Sequence, residues 1–142
     1  LVRLLQDLVP CSAVIALLYD IDAHAFLVVA VDFESGEGLQ GNAFDGDKGL
    51  LAEAAKRFGQ PQLIPDLAAD GRFDADLDGW LTRSARTLVM APLGDADRLL
   101  GMLAMVDPSD GSSFEDRDAD LVNYLAEQSS EFLVAARKAL KV

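Results

Sequence analysis

The segment from Thr87 to Gln128 constrains the fold of this chain more strongly than any other part of the sequence. Two apolar runs, Thr87–Leu93 and Leu99–Val106, flank the short polar sequence Gly94–Arg98. Apolar runs of this length, separated by a turn that contains glycine, are typical of a β-hairpin. We therefore predict two adjacent antiparallel strands in this segment.

A long amphipathic helix is predicted to follow this hairpin. Ser113 is a favourable N-cap residue, and the acidic side chains at positions 115, 116 and 118 would lie at the positive end of the helix. Apolar residues recur at spacings of mostly four, which is a helical period: Leu121, Leu125, Phe132, Ala136 and Leu140. One stripe of this helix would pack on the sheet.

The first part of the chain predicts a helix followed by another hairpin. Leu1–Val9 places its leucines on one helical face. The apolar runs Ala13–Tyr19 and Phe26–Phe33 predict strands, joined by a turn at Asp20–His24. Residues 34–46 hold four glycines without periodicity and are predicted to form a loop.

The middle of the chain predicts one more helix and one short strand. Asp47 can cap a helix that continues through Phe58. Gln62–Ile64 is a brief strand between two prolines, and residues 66–79 form a polar loop with five aspartates. Residues 80–85 predict a short helical turn. The order of these elements indicates an α+β domain, in which helices pack on one antiparallel sheet.

Composition limits the partners that this domain can bind. With 142 residues the chain has the size of a single domain, and its net charge of −12 repels nucleic acid and anionic lipid membranes. The single cysteine excludes an internal disulfide, so a cytoplasmic location is expected. No apolar run approaches the ~20 residues needed to span a membrane. Because Leu1 is not methionine and already begins a helical pattern, we expect a fragment of a longer multidomain protein.

The segment Thr87–Gln128 resembles the closing half of a GAF domain. The resemblance lies in the pair Pro92–Leu93 at the end of one strand, the glycine and small or aliphatic residues of the next, and a Phe-x-x-x-Asp sequence before the last helix. Gly49–Asp66 is similar to the mid-domain signature of the family, and Asp70–Phe73 is similar to the motif after the short strand. These pieces occur in the family's order along nearly the whole chain.

The resemblance implies a GAF/PAS-like central antiparallel sheet of about five or six strands with helices packed on it. It also implies a pocket on one face of the sheet, roofed by the segment between the short strand and the next long strand. Ligands of the family include cyclic nucleotides, bilins, haem, metals and small metabolites. Many members bind nothing and serve as dimerisation modules.

The resemblance places the candidate ligand site beside the short strand and the strand after the acidic loop. The residues that would line this site are Leu63, Asp66, Arg72, Phe73, Trp80, Leu81, Val89 and Ala91. Arg72 could pair with a carboxylate or phosphate, and Phe73 or Trp80 could stack on a flat ligand. The alternative is structural: Arg72 forms a salt bridge with a nearby aspartate, and Trp80 fills the face of the sheet.

The acidic sequence Asp74–Gly79 matches the first half of a calcium-binding loop, with carboxylates at alternate positions followed by glycine. A complete loop of this type needs a glutamate at its twelfth position, where this chain has Ala85. The alternative is a solvated acidic loop beside the positive end of a short helix. Because the ligand set is incomplete, we predict no metal site.

Other residues that carry chemistry in this family are missing or displaced. The cyclic-nucleotide members have a glutamate where this chain has Ala119, and the bilin-binding members use a cysteine much later in the domain than Cys11. His24, the only histidine, lies in a predicted surface turn. A single cysteine cannot complete the cycle of the family's free-methionine sulfoxide reductase. We therefore predict a domain without catalytic residues and without a cofactor.

Two functions remain open from the sequence. The first is a regulatory sensor domain of a signal-transduction or transcription-regulating protein, which binds a small molecule beside the sheet and signals through its terminal helices. The second is a ligand-free GAF scaffold for dimerisation or protein–protein contact. The apolar residues of Leu1–Leu8 and of the last helix favour a homodimer through the terminal helices.

Overall fold

The helices and strands follow the predicted order, with one additional strand. The computed structural model describes residues 2–33, 41–57, 60–71, 78, 80–81, 85–95 and 98–140. The elements within these residues are α1 (Val2–Leu8), β1 (Cys11–Asp20), β2 (Ala25–Phe33), β3 (Ala43–Asp45), α2 (Leu50–Ala55), β4 (Gln62–Ile64), β5 (Leu88–Asp95), β6 (Arg98–Pro108) and α3 (Asp116–Leu140). None of the helices in this part of the chain combines the length and apolar character that crossing a bilayer requires.

The described strands form one antiparallel sheet in the order β3-β2-β1-β6-β5-β4. The helices pack on this sheet, which confirms the predicted α+β architecture. Strand β3 corrects the prediction of a loop over residues 34–46. Its three residues pair with β2 at the edge of the sheet, and a strand this short shows no periodicity in the sequence.

Strand β6 lies at the centre of the sheet. It pairs with β1 along one edge and with β5 along the other, and residues Leu100–Val106 are all buried. A strand buried on both faces has a continuous apolar sequence rather than an alternating one, as this strand does. Gly101 lies so close to the Leu17 carbonyl oxygen of β1 that a Cβ atom would not fit between them.

The sheet separates two hydrophobic cores. One core contains the apolar residues of α2, and we name this side of the sheet the α2 face. The other contains the buried residues of α1 and α3, and we name it the terminal-helix face. Alternate residues of β5 belong to different cores: Leu88 and Met90 lie on the α2 face, whereas Val89 and Ala91 lie on the terminal-helix face.

The N-terminus of α2 is capped by a residue that is distant in the sequence. The helix begins at Leu50 after Gly49, whose φ of +98° favours glycine. The backbone N–H of Leu50 donates a hydrogen bond to a carboxylate oxygen of Asp78 at 2.8 Å. The predicted cap at Asp47 is therefore wrong, because the Asp47 side chain is exposed and lies beside His24 instead.

The start of α3 also differs from its prediction. The hydroxyl of Ser113, the predicted cap, donates instead to the Pro65 carbonyl oxygen at 3.4 Å. The helix begins at Asp116, and the Asp118 carboxylate accepts the backbone N–H of Glu115 at 2.8 Å. This carboxylate satisfies one of the backbone donors that lack an intrahelical partner at a helix N-terminus.

We predict that Asp78→Ala destabilises the domain and that Asp47→Ala does not. Removing the buried Asp78 carboxylate deprives the Leu50 N–H of this acceptor, which should lower the unfolding free energy by roughly 1–3 kcal/mol. Asp47 is exposed, so its loss should change stability by less than about 0.5 kcal/mol. Urea unfolding of both variants beside the wild type measures the difference. Equal stability of the two variants would contradict the assignment of the cap.

Candidate functional site

The α2 face is the candidate site because described residues of the segment between β4 and β5 pack over it. Leu67, Trp80 and Leu81 of this segment are buried in the core of that face. The same core includes Leu50 and other apolar residues of α2, together with alternate residues of the strands beneath. The described parts of the segment therefore cover one face of the sheet, as the family resemblance implies.

The candidate residues do not all come together on this face. Trp80 and Leu81 lie on the α2 face. Leu63, Val89 and Ala91 pack on the terminal-helix face instead. The prediction that these five residues line one site is therefore wrong, because the sheet separates the first two from the other three.

The error is a shift of one residue along β4 and β5. Successive residues of a strand point to opposite faces of the sheet. A shift of one residue along the strand therefore moves a predicted site from one face to the other. Leu63 pairs with Val89 on the terminal-helix face, and the next pair, Ile64 with Leu88, lies on the α2 face. Ile64, Leu88 and Met90 therefore occupy the strand positions beneath the candidate site.

Of the three remaining candidates, the structure describes only Asp66. Asp66 follows β4 and is exposed, and its carboxylate accepts the backbone N–H of Ala68 at 3.1 Å. This is a local turn contact. Arg72 and Phe73 lie outside the described residues, so their contacts with a ligand stay predictions.

The acidic sequence that resembles a calcium loop is described only at Asp78, since Asp74, Asp76 and Gly79 lie outside the described residues. Asp78 is 1% exposed, and its carboxylate accepts the Leu50 N–H. Where the chain is described, no group of three or more carboxylate, thiol or imidazole side chains is placed to hold a metal ion. The structure thus gives Asp78 a helix-capping role.

Trp80 has an unsatisfied donor on the α2 face. Its side chain is only 2% exposed, yet its indole Nε1–H has no hydrogen-bond acceptor among the described residues. Buried tryptophan N–H groups usually have a partner, because leaving such a donor unpaired costs about 1–3 kcal/mol. The candidate site therefore contains one donor available to an acceptor that the described residues do not provide.

An aromatic row borders the α2 face toward the β3 edge of the sheet. Tyr19, Phe26 and Phe44 occupy paired positions on β1, β2 and β3. Phe26 is buried, whereas Tyr19 and Phe44 are partly buried, and the ring centroids of Tyr19 and Phe26 are 5.0 Å apart. The row could not be recognised from the sequence because Phe44 falls in a predicted loop. The available signal was the turn at Asp20–His24, which fixes Tyr19 opposite Phe26.

A separate groove of about 480 Å³ lies where α1 ends and the connection from β6 to α3 begins. Its lining includes Leu8, Val9 and Pro10 on one side, and Pro108 and the polar residues that follow it on the other. Serines and charged side chains make up much of this lining. The groove is therefore chemically unlike the apolar α2 face.

Three further residues have structural or surface positions. Phe114 is buried in the core of the terminal-helix face, and the Asp118 carboxylate binds a backbone N–H at the start of α3. His24 is exposed, with its Nδ1 atom 3.5 Å from an Asp47 carboxylate oxygen. The exposure of His24 confirms its predicted position in a surface turn.

The thiol of Cys11 is buried beneath the terminal helices. Its Sγ–H donates to the Ala13 carbonyl oxygen at 3.3 Å. Burial raises the pKa of this thiol from its ordinary 9.0 to about 11. A thiol that stays protonated at neutral pH is a poor nucleophile, so Cys11 behaves as a small buried apolar residue.

Comparison with known proteins gives a family match over most of the chain. Residues 1–131 match the family model described as GAF domain. The GAF domain of a phosphoenolpyruvate-protein phosphotransferase (ptsP) from Coxiella burnetii superposes with a TM-score of 0.81 at 16% identity, covering 99% of this chain and 82% of that chain. The blue-light absorbing form of the Thermosynechococcus elongatus PixJ GAF domain gives 0.78 at 19% identity, covering 99% and 84%.

A third similar structure is an enzyme. The free methionine-R-sulfoxide reductase from Neisseria meningitidis, solved in complex with its substrate, superposes with a TM-score of 0.76. Its identity to this chain is 19%, and the match covers 97% of this chain and 76% of that chain. At such identities the likeness to solved structures shows the fold alone.

We predict that Cys11 resists alkylation in the folded protein and that ionisation of its thiol lowers the stability of the domain at alkaline pH. The folded state favours the neutral thiol, so this contribution is complete below a pH of 9.0 and is lost as the pH rises through about 11. Iodoacetamide should therefore modify urea-unfolded protein readily at about pH 8 and folded protein very slowly. The matched control is Cys11→Ala, whose stability should decline less than that of the wild type above this pH. Similar labelling rates for folded and unfolded protein would contradict the burial of the thiol.

Proposed function

We propose, because this chain belongs to the GAF domain family, that it is the regulatory sensor domain of a signal-transduction or transcription-regulating protein. The family resemblance predicted from the sequence is confirmed. GAF domains are sensory and regulatory domains of signalling proteins, and they are generally regulatory rather than catalytic. In our proposal this domain binds a small molecule on the α2 face and transmits the event through α1 and α3.

The observation that carries the proposal is that one layer of strands separates the candidate site from the terminal helices. Leu88 and Met90 pack beneath the segment that covers the α2 face. Val89 and Ala91, which alternate with them along β5, pack in the core that contains α3. Protein interiors are close-packed, so a change in packing on one side of β5 affects the other side.

A hydrogen bond also links the β5–β6 hairpin directly to α3. The Ser130 hydroxyl accepts the backbone N–H of Gly94 at 2.7 Å and donates to the Ala126 carbonyl oxygen at 2.6 Å. Ser130 is 5% exposed, so water does not readily replace either partner. The link supports the proposal because it joins the end of β5 to α3 at a point beyond the first half of the helix.

Ligand binding can transmit a signal only if the ligand favours one arrangement of the helices over another. Coupling free energies of this kind are typically about 1–3 kcal/mol. The packing of β5 and the Ser130 bond are contacts through which the α2 face could favour one position of α3. We place the domain in the cytoplasm under the same proposal, with no nucleic-acid or membrane partner and with no catalytic residue.

We predict that at least one compound in a metabolite library stabilises the domain by binding to the α2 face. A ligand at one hundred times its dissociation constant adds about 2.7 kcal/mol to the unfolding free energy, which should raise Tm by roughly 5–10 °C. Thermal-shift screening finds such compounds, and native mass spectrometry gives their stoichiometry. The matched variant is Ser130→Ala, which should still bind the compound but show a smaller ligand-induced change in hydrogen exchange along α3. A library without stabilising compounds, together with an α2 face fully filled by side chains, would overturn the sensing function.

The alternative function is a ligand-free scaffold for dimerisation or protein–protein contact. The terminal helices leave large apolar side chains uncovered, which favours this alternative. Leu4 and Leu8 of α1 are 47% and 53% exposed, and Tyr124 of α3 is 58% exposed. Only Leu5 of the described α1 leucines is buried in the domain, so the outer side of this helix could pair with a second copy.

We predict that the protein sediments as a homodimer and that Leu8→Glu shifts it to monomer. A charge placed in an apolar helix interface loses its hydration without gaining a partner, which opposes association. Ile21→Glu is the matched control, because Ile21 is 60% exposed in the turn after β1 and lies outside the terminal helices. Analytical ultracentrifugation measures the association of all three proteins. A wild type that is monomeric up to about 100 μM, with Leu8→Glu unchanged, would remove this alternative.

A further inference from the structure

The groove between the end of α1 and the connection from β6 to α3 is formed by residues that the structure describes. Its volume of about 480 Å³ lies within the range of about 300–1,000 Å³ that is usual for binding pockets. A groove of this volume accommodates a few side chains of a partner. It is separate from the α2 face, so binding in the groove does not require a ligand on that face.

Hydrogen bonds hold the two sides of the groove in place. The backbone N–H of Ser109 donates to the Pro10 carbonyl oxygen at 2.9 Å, which ties the connection after β6 to the end of α1. The guanidinium of Arg86 donates to the Gly111 carbonyl oxygen at 3.2 Å and holds the same connection from the side of β5. The groove is therefore formed before a partner binds, which lowers the entropic cost of association.

The end of α1 gives one side of the groove an uncovered apolar surface. Leu8 is 53% exposed, Val9 is partly buried and Pro10 is exposed. Pro108, which is partly buried, continues this surface toward the other side. An aliphatic side chain that packs on Leu8 would remove apolar surface of both partners from water, which favours binding.

The other side of the groove is acidic. It carries the carboxylates of Asp110, Glu115 and Asp118 and the guanidinium of Arg117, which lies 3.2 Å from a Glu115 carboxylate oxygen. The N-terminal end of α3 contributes only roughly half a positive charge, so the described lining stays negative. The net charge of −12 on the chain adds a long-range attraction for cations.

The acidic side remains ionised at neutral pH and does not form a metal site. The hydroxyl and the backbone N–H of Ser112 donate to the Asp110 carboxylate, and these hydrogen bonds lower its pKa below the ordinary value of 3.8. Within the described parts of the chain, no acidic side chains are grouped so that they could hold a metal ion. The complement of this side is therefore a larger organic cation.

The two sides of the groove together fit a basic peptide. Arginine and lysine carry a cationic head on an aliphatic stem, and a leucine beside them supplies the apolar contact that Leu8 lacks. A second copy of this chain brings another net charge of −12 and does not provide the complementary charge. Nucleic acid and anionic membranes are repelled for the same reason.

We propose that this groove binds a short basic segment of a partner protein, in which an aliphatic side chain packs on Leu8 while flanking arginine or lysine groups pair with Asp110 and Glu115. The groove adds an interaction site to the domain whichever of the two functions considered above holds, because the α2 face takes no part in the binding.

The probe is the peptide Gly-Arg-Leu-Leu-Arg-Gly with blocked termini, titrated into the ¹⁵N-labelled protein. The backbone N–H signals of Leu8, Ser109 and Ser112 should move in a saturable way, with a dissociation constant on the order of 0.1–1 mM. Peptides with glutamate in place of arginine, or serine in place of leucine, should each bind at least about fivefold more weakly. Raising the salt concentration from about 50 to about 300 mM should weaken binding of the arginine peptide by about threefold.

Matched variants separate the groove from the overall charge of the protein. Asp110→Asn and Glu115→Gln should each weaken binding by about two- to fivefold, and Leu8→Ser by about threefold or more. Asp22→Asn removes the same charge in the exposed turn at the opposite end of β1, and Ile21→Ser removes a similarly exposed aliphatic side chain there. Both controls should leave the dissociation constant within about 1.5-fold of wild type.

Four results would overturn the proposal. Equal weakening by Asp110→Asn and Asp22→Asn would mean that the peptide responds to net charge and not to the groove. Signal changes elsewhere, or no saturable change up to about 5 mM peptide, would remove the site. Equally tight binding of spermidine, which has no branched apolar side chain, would remove the role of Leu8. A wild-type homodimer whose groove does not take the peptide would make the second copy its occupant.

These measurements are independent of the sensor function. A metabolite library without stabilising compounds would remove the ligand on the α2 face and leave the groove and its peptide unaffected. Conversely, loss of peptide binding would leave the sensor function standing.

Discussion

The packing of β6 between β1 and β5 is the constraint on which the rest of this structure depends. Residues Leu100–Val106 are buried, so both faces of the sheet must be covered. One face is covered by α2 and the segment after β4, and the other by α1 and α3. Hydrogen bonds along both edges hold the strand in register, and Gly101 permits the close approach of Leu17. The candidate site and the terminal helices are therefore joined through the same central strands.

A hydrogen-bond cluster fixes the point where the covering segment returns to the sheet. A carboxylate oxygen of Asp107 accepts the backbone N–H groups of Arg86 and Thr87 at 2.8 and 2.9 Å. The Thr87 hydroxyl donates to the Ile64 carbonyl oxygen at 3.1 Å and accepts the backbone N–H of Phe114 at 3.3 Å. This one hydroxyl joins β4 and β5 to the approach of α3. Together with the carboxylate cap on α2, the cluster holds the covering segment at two described places.

Much of this fold could be predicted because long apolar runs form the buried strands and helices, and the spacing of apolar residues is visible in the sequence. The predictions that were wrong concern a helix cap, an edge strand and a strand face. Each depends on contacts with other parts of the chain that the sequence alone does not reveal. The cap of α2 joins residues 28 positions apart, and β3 exists only through its edge pairing with β2. In β4 the choice between Leu63 and Ile64 decides the face of the site, and both are aliphatic. Trp80 packs on the α2 face, and its unpaired N–H is recognisable only once the surrounding acceptors are known.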